Sequence, residues 1–266
     1  MAAATVLIAA LSLAGPASSQ LSKIGGLNGD AKRGKELFRR YCIGCHGPEG
    51  NGEGENAPFL ETKPRDFTLG LFKCRSTLSG SIPFDTDLFD TISRGIHGTF
   101  MPSWLPLTPR QRADLIAYVK TFSQRFQDEQ PGDPVRIPPA TPDTRESIDR
   151  GQALYKQLGC FECHGPDGYG DGPSAPTLRD SKGNPVKTYN FHLTPHFKCG
   201  GRDTDIYRSV FTGLDGTPMP AYGFWLKPDQ AWDLVHFLRS LAPNGRTSST
   251  PVDGAQSRAD GLGNHD

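Results

Sequence analysis

Four of the six cysteines in this 266-residue chain fall in two near-identical settings. Cys42-Ile43-Gly44-Cys45-His46 recurs, 118 residues later, as Cys160-Phe161-Glu162-Cys163-His164. In C-x-x-C-H the two thiols sit one helical turn apart and the imidazole follows at once. That spacing suits thioether bonds from both cysteines to the vinyl groups of a haem c, with the histidine reaching its iron. A C-x-x-C alone would equally describe a redox dithiol or half of a zinc site. The histidine in both copies favours two covalent haems, on Cys42 and Cys45 and on Cys160 and Cys163, with His46 and His164 as iron ligands.

The sixth iron position needs a second donor. Apart from the initiator, the only methionines are Met101 and Met219, each 55 residues beyond its histidine and each in a G-T-x-M-P setting. Proline removes a backbone donor and stiffens the loop. Methionine more often fills gaps in a core, but two lone methionines at matched places favour iron ligation. His/Met ligation raises the reduction potential and closes the iron to small molecules, which suits electron transfer better than catalysis.

Both constellations lie inside a duplicated module. Gly50, Gly52, Gly54, Ala57 and Pro58 match Gly168, Gly170, Gly172, Ala175 and Pro176 at the same offset. The patterns predict a first helix over Ala31 to Tyr41, capped by Asp30, and over Ser147 to Leu158 in the second module. A middle helix is expected over about residues 85–93 and 204–211, and a last helix opening at Pro109 and Pro228, where proline is favoured. The predicted fold is all-α and loop-rich, each module wrapping one haem. The expected layout is a signal peptide over 1–19, a first domain over 28–126, a Pro-rich linker over 127–144, a second domain over 145–242 and a disordered tail over 243–266. The linker prolines argue for a semi-rigid spacer.

Lys+Arg and Asp+Glu both number 29, so no net charge points to a nucleic-acid partner. The apolar run Ala2 to Ala14, followed by Ala17-Ser18-Ser19, reads as a signal peptide. It is shorter than the roughly 20 residues needed to span a bilayer. These features predict an exported, periplasmic protein with no membrane span in its mature form.

Beyond the C-x-x-C-H and Met-Pro motifs, Pro64-Arg65-Asp66-Phe67, Phe72-Lys73, Arg75-Ser76-Thr77 and the Met101-Pro102-Ser103-Trp104 run carry a resemblance to class I cytochromes c. Asn190-Phe191 and Phe197-Lys198 continue it in the second module. The pattern is similar to the mono- and dihaem branch that includes cytochrome subunits of some terminal oxidases and dehydrogenases. The resemblance implies two tandem cytochrome c domains with a His and a Met on each iron. It departs at Cys74, where an aromatic residue is expected, with Cys199 at the corresponding place.

Haem propionates call for cationic donors. Arg65 and Arg75 are placed for that role, with Lys73, Lys187, Lys198 and Arg202 as further candidates; ordinary surface charge is the alternative. Cys74 and Cys199 remain after haem attachment. In an oxidising compartment they either form a disulfide between the modules or fill small apolar spaces near each haem. Three functions stay open. The first is a carrier passing single electrons between a dehydrogenase or quinol-oxidising complex and a terminal acceptor. The second is a dihaem enzyme, a peroxidase or a thiosulfate-oxidising cytochrome, and the third a fixed subunit of a larger oxidoreductase. The matched methionines favour carrier or subunit.

Overall fold

A computed structural model describes residues 23–193 and 196–243. The expected signal peptide and nearly all of the expected tail lie outside them. The described residues form helices and loops, with one two-stranded antiparallel hairpin, Lys23–Ile24 with Leu27–Asn28, as an addition to the all-α expectation. The chain divides into two compact units between Pro134 and Val135, Ile96–Thr99 being grouped with the second.

The first unit contains α1 (Ala31–Tyr41), α2 (Ile43–His46), α3 (Asp85–Arg94), α4 (Pro109–Val119) and α5 (Arg125–Asp128). The second contains α6 (Arg145–Gln157), α7 (Phe161–His164), α8 (Asp203–Thr212) and α9 (Pro228–Leu241). Helix α1 has the expected bounds, and the Asp30 carboxylate accepts from the Lys32 and Arg33 N–H groups at its start. Helix α6 starts two residues earlier than expected, because Thr144 accepts from the Ser147 N–H and so caps the turn before it. Helix α5 runs into the first residues of the expected linker. Farther along, Ile137 packs on the second core and the Trp232 Nε1–H donates to the Pro138 carbonyl at 3.3 Å. That part of the Pro-rich stretch is docked on its own unit.

In each unit the first helix packs on the last, α1 on α4 and α6 on α9. Close approach requires a glycine: a Cβ on Gly34 would meet the Asp114 backbone carbonyl, and one on Gly151 the Asp233 carbonyl. The side chains of those two aspartates close the crossing. Arg33 donates to both Asp114 oxygens at 2.8 Å, and Arg150 to both Asp233 oxygens at 2.8 Å. Such forks fix geometry as well as charge. A second ion pair joins the end of each crossing to the middle helix, Lys120 to Asp85 and Arg239 to Asp203. Each core then fills in around its last helix: Leu115 and Ile116 with Phe38, and Trp232, Leu234 and Val235 with Tyr155.

Candidate functional site

Each C-x-x-C-H motif forms its own single helical turn. The His46 N–H donates to the Cys42 carbonyl at 2.9 Å, and the His164 N–H to the Cys160 carbonyl at 2.9 Å. The turn places both sulfurs of a pair on neighbouring positions and ends on a left-handed glycine, Gly47 (φ 74°) or Gly165 (φ 80°). The Gly-rich segment then folds back over the motif. Gly52, Gly54 and Asn56 donate to the carbonyls of His46, Cys45 and Gly44, and Gly170, Gly172 and Ser174 to those of His164, Cys163 and Glu162. A Cβ at Gly54 or Gly172 would strike the carbonyls of the motif turn, so the glycines are what lets the backbone cover it.

Both imidazoles are oriented from behind. The His46 Nδ1–H donates to the Arg65 carbonyl at 3.0 Å, and the His164 Nδ1–H to the Tyr189 carbonyl at 3.2 Å. Each ring also lies nearly parallel to a phenylalanine, His46 on Phe67 at 4.5 Å and His164 on Phe191 at 4.7 Å. Burial lowers the pKa of His46, and takes that of His164 down to about 4. A neutral imidazole whose Nδ1 proton is committed keeps its Nε2 lone pair for a metal, the usual arrangement behind a ligating histidine.

Cys42, Cys45, Cys160 and Cys163 are free thiols at intermediate exposure. Burial pushes the Cys42 thiol up to about 12 and that of Cys160 to about 11. Half-buried thiols paired on one turn fit thioether attachment of a haem. Among the described residues no three of His, Cys, Asp and Glu converge to hold a metal ion.

The methionine loops are also built alike. Thr99 and Thr217 turn their hydroxyls back to the carbonyls of Ile96 and Leu214 at 2.8 and 2.6 Å. Gly95 and Gly213 end the middle helices at positive φ, each against the backbone of the Met-Pro segment. Met101 and Met219 are half-buried.

Of the propionate candidates, Arg65 supplies the carbonyl that orients His46. Arg75 is almost fully buried, with donors to the Phe72 and Leu78 carbonyls. Arg202 forks onto Asp205. Cys74 and Cys199 are both buried. Sequence reasoning missed the Arg33–Asp114 and Arg150–Asp233 forks. Their signal was present as one Arg and one Asp at matched places in both repeats, outside the motifs.

Comparison with known proteins gives two family matches, one per unit. "Cytochrome c" matches residues 148–242, and "Cytochrome C oxidase, cbb3-type, subunit III" matches residues 29–119. A cytochrome c from Guizotia abyssinica is 30% identical over 99 residues, 35% of this chain and 89% of that protein. The chain belongs to the cytochrome c family. It is an electron-transfer protein with a haem c on each of two domains. Cytochrome c4 of Thiocapsa roseopersicina is 28% identical over 147 residues, 53% of this chain; the match spans 61% of the length of cytochrome c4. In three dimensions the cytochrome is similar to a chain of the "Kuenenia stuttgartiensis reducing HAO-like protein complex Kustc0457/Kustc0458". Their TM-score is 0.78 at 40% identity, over 80% of this chain and 97% of that one.

Proposed function

We propose that this cytochrome passes single electrons in the periplasm, between a dehydrogenase or quinol-oxidising complex and a terminal acceptor. Cys42 and Cys45 would hold one haem and Cys160 and Cys163 the other, with His46 and Met101, and His164 and Met219, as the residues that would ligate each iron. The observation that carries the reading is the duplicated histidine setting, in which a backbone carbonyl and a stacked phenyl ring fix each imidazole.

When bound, each haem supplies a one-electron couple at its iron. The chain's own residues do the rest. The carbonyl and phenyl contacts hold each imidazole in one orientation, so little rearrangement would accompany electron uptake. As ligands, the methionine thioethers would favour the reduced iron and would leave no position for peroxide or another small ligand. Arg65 and Arg75 would supply the cationic donors for the propionates. Cys74 and Cys199, left over from haem attachment, would form a disulfide between the modules in an oxidising compartment.

Steady-state assays test the carrier reading. Rapid reduction by small one-electron donors is expected, without substantial turnover of peroxide or thiosulfate. A high rate with either substrate, abolished by changing Cys74 or Cys199, would move the assignment to an enzyme. The likeness to a chain of an HAO-like protein complex supports a second reading, a fixed electron-transfer subunit. Co-purification of the native protein with a multihaem or membrane oxidoreductase at constant stoichiometry distinguishes the two.

A further inference from the structure

The connection that leads to the phenylalanine behind each histidine differs in length between the modules. Six residues separate Leu60 from Phe67, and twelve separate Leu178 from Phe191. In the first module Lys63 donates to the Ala57 and Pro58 carbonyls at 3.0 and 3.1 Å, which folds the short connection back on its own turn. In the second module the added residues close a small hairpin. The Val186 N–H donates to the Leu178 carbonyl at 3.1 Å, and the Asp180 N–H to the Asn184 carbonyl at 2.9 Å. Its tip is the turn Asp180–Gly183, closed by the Gly183 N–H on the Asp180 carbonyl at 2.9 Å. The Asp180 carboxylate braces that turn by accepting from the Lys182 and Asn184 N–H groups, both at 2.9 Å.

One backbone donor of the tip points away from the hairpin. Ser181 holds the second position of the turn, whose N–H takes no part in closing it. It donates instead to the Gly216 carbonyl at 3.3 Å. Gly216 belongs to the methionine loop, three residues before Met219. Within that loop the Leu214 N–H donates to the Met219 carbonyl at 3.2 Å, and the Met219 N–H to the Thr217 hydroxyl at 3.3 Å. The root of the hairpin is fastened on the histidine side. Leu178 ends the turn Ala175–Thr177, which follows the Ser174 N–H bond to the Glu162 carbonyl of the motif. The chain leaving the hairpin supplies the Tyr189 carbonyl that orients His164. The hairpin thus ties the histidine segment of this module to its methionine segment.

We propose that the hairpin is a strap that positions Met219, acting through the Ser181–Gly216 bond. The inference rests on the reading of Met219 as a ligand of the second iron. A methionine leaves an iron when its loop opens, a local event with a free energy of its own. Moving the Met219 loop away from the histidine segment breaks the Ser181–Gly216 bond, so the strap opposes that opening. Ser181 and Asp180 are positioning residues, and their effect should be confined to one module.

Imidazole titration of the oxidised full chain with both haems tests this, read by loss of the far-red charge-transfer band. Imidazole exchanges a sulfur–iron bond for a nitrogen–iron bond, and no electron moves. The band that persists in Met101→Ala belongs to the second iron and assigns the steps. Ser181→Pro removes the N–H yet suits the turn, because proline is favoured at its second position. It should lower the imidazole concentration that displaces the second methionine about fivefold, the worth of one net hydrogen bond. The first midpoint should stay where it was. Ser181→Ala keeps the N–H and should titrate as the native protein does. Asp180→Ala opens the turn that presents the donor; it should act in the same direction as Ser181→Pro, and serves if that variant folds poorly. An unchanged second midpoint, equal shifts at both irons, or the same shift in Ser181→Ala overturns the inference. Ligation is read separately. If Met219→Ala leaves the far-red band intact, methionine is not on that iron and this inference falls with that reading. A band lost in Met219→Ala with no shift in Ser181→Pro removes the inference alone.

Discussion

The two modules keep the same skeleton and differ in what is packed behind it. Both have the glycine at the helix crossing, the Arg–Asp fork that closes it, the carbonyl behind the histidine and the threonine turn before the methionine. Where the first module has Phe38, the second has Tyr155, whose hydroxyl donates to the Gly165 carbonyl at 2.7 Å. Where the first has Ala117, the second has His236, buried and hydrogen-bonded to Ser147 at 3.0 Å. The shared parts all position the motif. The divergent ones add buried polar contacts to the second module alone, and buried polar groups tend to specify one packing arrangement when every partner is satisfied. Duplication has thus preserved the frame of the redox site while leaving its surroundings open to change.

Four perturbations break or sharpen that comparison. The largest effect is expected from Cys42→Ser/Cys45→Ser against Cys160→Ser/Cys163→Ser. Each double variant should lose one haem by mass and by the pyridine haemochrome spectrum, and keep the other. Loss of both haems from either variant would show that the modules do not mature independently.

Methionine exchange comes next. Met101→Ala and Met219→Ala should each lower one potential and open one iron to carbon monoxide, read by optical titration and by the far-red charge-transfer band of Met–iron bonding. A variant with unchanged spectrum and potential would remove methionine from that iron.

The helix crossing is the third point. Gly34→Ala and Gly151→Ala each force a methyl group against a backbone carbonyl, and overpacking of this kind costs about 3 kcal/mol. Thermal or denaturant unfolding should show similar losses for the two. A loss at one site only would break the equivalence of the two crossings.

The smallest effect belongs to Ser147→Ala, which leaves the buried His236 Nδ1 without its partner. A loss of about 1–2 kcal/mol is expected, confined to the second module because Ala117 has no such contact to lose.

Much of this arrangement was legible in the sequence because it is local. The C-x-x-C-H turn, the Asp30 cap, the bounds of α1 and the prolines opening α4 and α9 depend on residues within one or two turns of each other. The Arg33–Asp114 fork joins residues 81 positions apart, and neither residue carries a local signature of its role. The repeat hid the correspondence as well. Helix positions before the motif are offset by 117 residues and those after the methionine by 119, so a search at the 118-residue offset of the motifs misses both forks. Ser147 looked like the start of a helix. It lies inside α6, where its hydroxyl meets a histidine 89 residues away.

The central claim is two equivalent electron-transfer haems in one chain. Optical redox titration of the purified protein, with its haem content fixed by mass, tests it most directly. The account predicts two haems per chain, both low-spin when oxidised and each taking up one electron without binding carbon monoxide. A single titrating haem, or a high-spin ferric iron open to ligands, would contradict it.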